Sequence, residues 1–144
     1  MRAILDTNVV VQSVISSAHT APARTLDALH AGVFQLVYSA AIIDEWLDVL
    51  NLPAMRTRHG MSDDELVEFV ASLIVRAESW PGRTAVSPSL TRDLTDTKFA
   101  SLALESEADF LVSNDHRHLL PLKTIGKTKV VTPAAFLRAL DAER

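Results

Sequence analysis

The sequence predicts an α/β fold in which a parallel sheet is covered by helices on both faces. Short apolar runs of strand character alternate with longer segments of helical period. The strand-like runs are apolar throughout rather than alternating, as in strands buried on both faces. With 48% hydrophobic and 22% charged residues over 144 positions, there is material for one core, and a single domain spanning 1–144 is expected.

Ala3 to Leu5 is the first strand, ending at Asp6, and Thr7-Asn8 is a turn or cap before a helix from Val9 to Ile15. Pro22 suits the first turn of a second helix, with Leu26, Leu29 and His30 at helical spacing and Gly32 as its stop. Val33 to Tyr38 is β-branched and aromatic and makes the second strand. Ser39 caps a helix over AAIIDEWLDVL, whose Ile42, Trp46, Val49 and Leu50 share one face, and Asn51-Leu52-Pro53 ends it. The basic stretch MRTRHG follows with no assigned element. Ser62 to Glu65 reads as a capping box, opening a helix that carries Leu66, Phe69, Val70, Leu73 and Ile74. Trp80 to Pro88 is loop with at most a short edge strand, since proline is excluded from central strands. Thr95-Asp96 caps a helix with Phe99, Leu102, Ala103 and Leu104. Phe110 to Val112 and Lys129 to Val131 are the last strands, and Thr132-Pro133 opens a final helix from Ala134 to Leu140.

The formal net charge of −4 opposes polyanions, so contact with nucleic acid needs a local basic patch or bound cations. The absence of cysteine excludes disulfides, zinc-thiolate sites and thiol catalysis. No apolar stretch approaches the ~20 residues of a membrane span, and Asp6 interrupts the opening apolar run, a poor pattern for a signal peptide. A soluble cytoplasmic protein is expected. The histidines lack zinc spacing, the four dispersed glycines form no phosphate loop, and no nucleophile elbow is present.

The acids carry the functional reading. Asp6 and Asp115 each follow a predicted strand directly, where ligands bind in parallel sheets. Each alone also suits a helix cap. Together they would be two carboxylates at one end of one sheet, and burying them costs several kcal/mol without a compensating cation. Glu45 borders the apolar face set by Ile42 and Val49, whereas Asp44 and Asp48 lie outside it; Asp96 stands at a helix start with Asp93 in the loop before it. Oxygen-only donors suit Mg²⁺ or Mn²⁺.

ILDTNVV, then SAAIIDEWLDVL, then RDLTDTKFASLALESEADFLVSNDHRHLL, in this order, resemble the PIN domain, and within it the toxin components of prokaryotic toxin–antitoxin pairs related to VapC-like ribonucleases. The resemblance implies a three-layer α/β/α sandwich with a short central parallel sheet. It also implies Mg²⁺ or Mn²⁺ held by Asp6, Glu45, Asp96 and Asp115, the catalytic acids of an RNA-cleaving enzyme, with Asn8, Asp93 and Ser113 in support. RNA would be gripped by Arg56, Arg58, His59, Arg92 and Arg117. A cognate antitoxin and a homodimer or higher homo-oligomer are expected as partners. Thr97 stands where relatives often carry a second acid or amide, so the choice of Asp96 over Asp93 rests on helix phase with Phe99, and the number of metals stays open. The alternative function is a catalytically inactive PIN-like interaction domain.

Overall fold

The computed structural model describes residues 1–91 and 97–143. In chain order the elements are β1 (Arg2–Leu5), α1 (Thr7–Ile15), α2 (Ala21–His30), β2 (Gln35–Tyr38), α3 (Ala40–Leu50), α4 (Pro53–His59), α5 (Asp63–Ile74) and β3 (Glu78–Ser79). There follow α6 (Pro88–Thr91), α7 (Lys98–Ser106), β4 (Phe110–Val112), a 3-10 turn at Leu120–Leu122, β5 (Thr124–Ile125), β6 (Thr128–Val131) and α8 (Pro133–Ala142). The strands form one sheet in the order β3-β2-β1-β4-β6-β5, parallel except for β5. Helices flank it, giving the expected three-layer α/β/α arrangement.

The core explains the apolar runs. Ala3, Ile4 and Leu5 of β1, Leu36 and Val37 of β2, and Leu111 and Val112 of β4 are all buried, because the central strands are covered on both sides. Val9, Ile42, Trp46, Leu102 and Phe136 close over them from the helices. Phe136 packs edge-on against Phe34 at 4.8 Å and Phe110 at 5.5 Å between ring centroids, joining α8 to the sheet. A smaller cluster of Val11, Leu50 and Leu66 fills the space between α1, α3 and α5, with Ile15, Val49 and Met55 packed on it. Among the described residues, no helix is long and apolar enough to cross a membrane.

Several boundaries differ from expectation for local reasons. α1 begins at Thr7, not Val9, because Asp6 itself is the cap: its side chain accepts the Thr7 N–H. β2 starts at Gln35 rather than Val33, since the Gly32 and Val33 N–H groups still close α2, onto Leu29 and Ala28 carbonyls, with Gly32 at φ +75°. Pro53 ends α3 but also opens α4, so the stretch assigned no element is a helix. Gly60 terminates it in the left-handed conformation. His59 staples this corner, its Nε2 2.8 Å from the Leu50 carbonyl and its Nδ1 accepting the Met61 N–H. The short edge strand lies at Glu78–Ser79, just ahead of the proline-rich loop. β5, which was not expected, is a two-residue strand paired antiparallel to β6. The expected Thr95-Asp96 cap lies outside the described residues.

Candidate functional site

The strand order locates the site. From β1 the chain winds outward through β2 and β3, then returns to place β4 on the opposite side of β1 and β6 beyond it. The direction of winding reverses between β1 and β4, and loops leaving the carboxyl ends of these two strands diverge to opposite sides, opening a crevice. In the parallel register Leu5 faces Val112, so Asp6 and Ser113, one residue further along, meet at the rim. Their backbones stay paired to the end: the Asp6 N–H reaches the Val112 carbonyl and the Ser113 N–H reaches the Val131 carbonyl, both at 2.9 Å.

Asp6 is buried, at 7% exposure, yet polar on both oxygens. Oδ1 accepts the Thr7 N–H at 2.7 Å and Oδ2 accepts the Ser113 hydroxyl at 2.6 Å. Burial pushes its carboxyl up from 3.8 to about 6; the Ser113 and Thr7 hydrogen bonds pull it down, and the nearby charges of Glu45 and Asp115 push it further up. Two of the other expected acids therefore act on Asp6. Asp115 is set by the same serine, whose oxygen accepts the Asp115 N–H at 2.9 Å. Asp115 also caps the turn after it, Oδ1 accepting the Arg117 and His118 N–H groups at 3.1 and 2.9 Å, with His118 Nδ1 3.5 Å from Oδ2. Both readings of these two acids, cap and cleft carboxylate, hold at once. Asn8 Oδ1 accepts the Asn114 N–H at 3.2 Å, tying the loop after β4 to the start of α1.

Glu45 projects from α3, where the phase of Ile42, Trp46 and Leu50 against the core leaves it at the margin. It has the partner that a carboxylate bordering an apolar face needs. Lys98 Nζ at the start of α7 lies 3.0 Å from Oε1, and the Thr7 hydroxyl donates to Oε2. Thr7 thus touches both Asp6 and Glu45, a role the sequence reading missed; its signal was a hydroxyl residue directly after the strand-end acid. Asp93, Asp96 and Arg92 lie outside the described residues.

These groups line a cleft of about 550 Å³. Asp6, Thr7, Asn8, Gln12, Glu45, Asp115 and His118 are polar residues of its lining, and Val11, Ile15, Val49, Met55, Phe99 and Leu119 apolar ones. Arg58 lines it as well. Arg56 is held by Asn51 Oδ1 at 2.8 Å and Asp63 Oδ1 at 2.7 Å, and Arg117, exposed, is not among the lining residues. Among the described residues, no three His, Asp or Glu side chains are close enough to make a metal site by themselves. The donor chemistry nonetheless fits a hard divalent cation: the acids facing the cleft offer only oxygen, and Asp6 is a buried carboxylate facing two others.

The fold is a mostly parallel α/β/α sandwich whose Asp6, Glu45 and Asp115 line one cleft at the switch point of the sheet. Residues 2–117 match the PIN domain family, and the chain belongs to it. No curated protein matches the chain significantly.

Proposed function

We propose that this PIN domain is a divalent-metal-dependent ribonuclease, the toxin of a toxin–antitoxin pair. One observation carries the proposal: Asp6, Glu45 and Asp115 line a single cleft at the carboxyl ends of β1 and β4, where burial first, and then the charges of the other two acids, raise the Asp6 carboxyl to about 6. A structure that keeps acids this close accepts a cost that a cation relieves.

Asp6 and Asp115 would hold Mg²⁺ or Mn²⁺ with Glu45 beside them, and Asp96, outside the described residues, would complete the set expected from the resemblance. When bound, the ion supplies activation of water and charge neutralisation at a phosphate. The chain's own residues do the positioning. Ser113 orients Asp6 through its hydroxyl and Asp115 through that residue's N–H. Thr7 couples Asp6 to Glu45, and Asn8 fixes the loop that carries Asp115. Lys98 balances part of the acid charge at Glu45. RNA is proposed as substrate on family membership, and a protein antitoxin and self-association as the partners.

The competing reading, an inactive interaction domain, draws on a specific observation. Asp6 and Asp115 serve as caps, Glu45 has a lysine, and the described acids make no three-ligand cluster. Thermal denaturation with increasing Mn²⁺ separates the two. A formed site gains stability by mass action, about 2.7 kcal/mol at one hundred times the dissociation constant. No gain, together with no Mn²⁺-dependent cutting of RNA, overturns the ribonuclease proposal.

A further inference from the structure

The apolar lining of the cleft has no task in holding a metal or in positioning the acids. Three helices supply one part of it, and α7 and the loop after β4 supply Phe99 and Leu119. Ile15 of α1, Val49 of α3 and Met55 of α4 pack by one side on the cluster of Val11, Leu50 and Leu66, and line the cleft with the other. α4 also brings Arg58 to this cleft. Among the described residues, Arg58 makes no ion pair, in contrast to Arg56 two positions earlier, which is engaged by Asp63. Among the described residues that line the cleft, Arg58 is the one arginine or lysine.

A cation and an apolar shelf in one cleft complement a ligand that joins an anion to a flat apolar ring. That is the makeup of a nucleotide unit, with its phosphate for Arg58 and the face of its base for the shelf. An apolar peptide side chain would cover the shelf but leave the guanidinium without an anion. A base that is paired and stacked in a helix has no free face to offer, so the strand must be single and the base turned out. The cleft volume, about 550 Å³, is in the range of a site for one small-molecule-sized unit.

We infer that Ile15, Val49 and Met55 form a seat for one unstacked base of a single-stranded nucleic acid, with Arg58 holding an adjoining phosphate, so that the base next to the acids contributes to selection of the strand. This rests on the ribonuclease reading for the identity of the ligand but concerns a different wall of the cleft.

The test measures fluorescence anisotropy of labelled eight-nucleotide ligands on the full chain carrying Asp6→Asn in EDTA, which removes one cleft charge and prevents cutting. The ligands are an oligouridine, a ribose-phosphate strand of the same length lacking every base, and a duplex. Burying one face of a base on an apolar wall predicts oligouridine binding about tenfold tighter than the abasic strand. Adding Met55→Ala reduces that ratio to about threefold or less while leaving abasic binding unchanged. Arg58→Gln weakens both strands alike and lowers the salt slope by about 0.7. If Met55→Ala fails to fold by circular dichroism, Val49→Ala makes the same comparison. Equal binding of oligouridine and the abasic strand overturns the seat, as does binding of the duplex as tight as the single strand. A dimer dissolved by Met55→Ala also overturns it, the shelf then being covered by a second copy. The two readings fail separately. Base-dependent binding without RNA cutting by the unsubstituted chain in Mn²⁺ removes the ribonuclease and keeps the seat, and cutting without base dependence does the reverse.

Discussion

Replacing Asp6 with asparagine removes a titrating group from a buried position while keeping the shape of the side chain. In the unfolded chain this carboxyl ionises at its ordinary value of 3.8, and in the folded protein burial holds the proton until about 6. Between those values the native state binds more protons than the unfolded state, so stability is full below 3.8 and is lost as pH rises through 6. The gap corresponds to about 3 kcal/mol, reached above pH 7. Carboxylates that do not act on Asp6 cancel between the two proteins, so the difference in stability between Asp6→Asn and the unsubstituted chain reads this residue together with its coupling to Glu45 and Asp115. The substituted side chain retains an oxygen for the Thr7 N–H and offers its amide to the Ser113 oxygen, which limits the loss of hydrogen bonding to about 1 kcal/mol at all pH values. Urea unfolding in EDTA at pH 4 and pH 8 should therefore show Asp6→Asn slightly less stable at the lower pH and about 2 kcal/mol more stable at the higher. Saturating Mn²⁺ should reverse the order at pH 8, because only the unsubstituted chain gains from the ion. A stability difference that does not change between pH 4 and pH 8 in EDTA refutes the burial argument.

Ser113→Ala removes one of the two hydrogen bonds that hold the Asp6 carboxyl down, and should raise the midpoint of its titration above about 6, followed by carbon-13 NMR of the carboxyl. An unchanged midpoint would mean that the hydroxyl does not orient Asp6. Gly82 sits at φ +70° with its Cα turned so that an added Cβ would lie 2.9 Å from Ser39 Cβ, and Ser39 is buried at the cap of α3. Gly82→Ala should cost about 2–4 kcal/mol from the left-handed backbone and the clash, read from urea midpoints. Glu78→Gln breaks the two-pronged pairing with Arg2, which ties β3 to β1 past the intervening strand, and should cost about 1 kcal/mol in urea unfolding at low salt. A loss under about 0.3 kcal/mol would show that the half-buried pair contributes no more than an exposed one.

Legibility followed the range of the interactions. α3 could be read from Ser39 through Leu50 because a capping hydroxyl and the apolar face of the eleven-residue helix after it agree. The capping box of α5 and the three-residue β4 were equally local. α4 was not legible. It buries no residue fully and is held by packing on α1 and α3, so its seven residues carry no apolar period of their own. β5 exists only because the chain turns back to pair with β6.

The candidate site divides along the same line. That Asp6 and Asp115 end strands, and that Glu45 borders an apolar face, follows from neighbours a few positions away. Sequence alone therefore determined the alternation of strands and helices, the acid-rich strand ends and the absence of thiol chemistry. Tertiary structure decided that β1 and β4 lie side by side, which brings residues 107 positions apart within 2.6 Å at Asp6 and Ser113. It also decided that Lys98 meets Glu45 and that Arg58, not Arg56, lines the cleft. Local sequence sets which residues end an element because capping and periodicity act over one or two turns. Which elements become neighbours depends on how the whole apolar surface is buried, and no short stretch of chain encodes that.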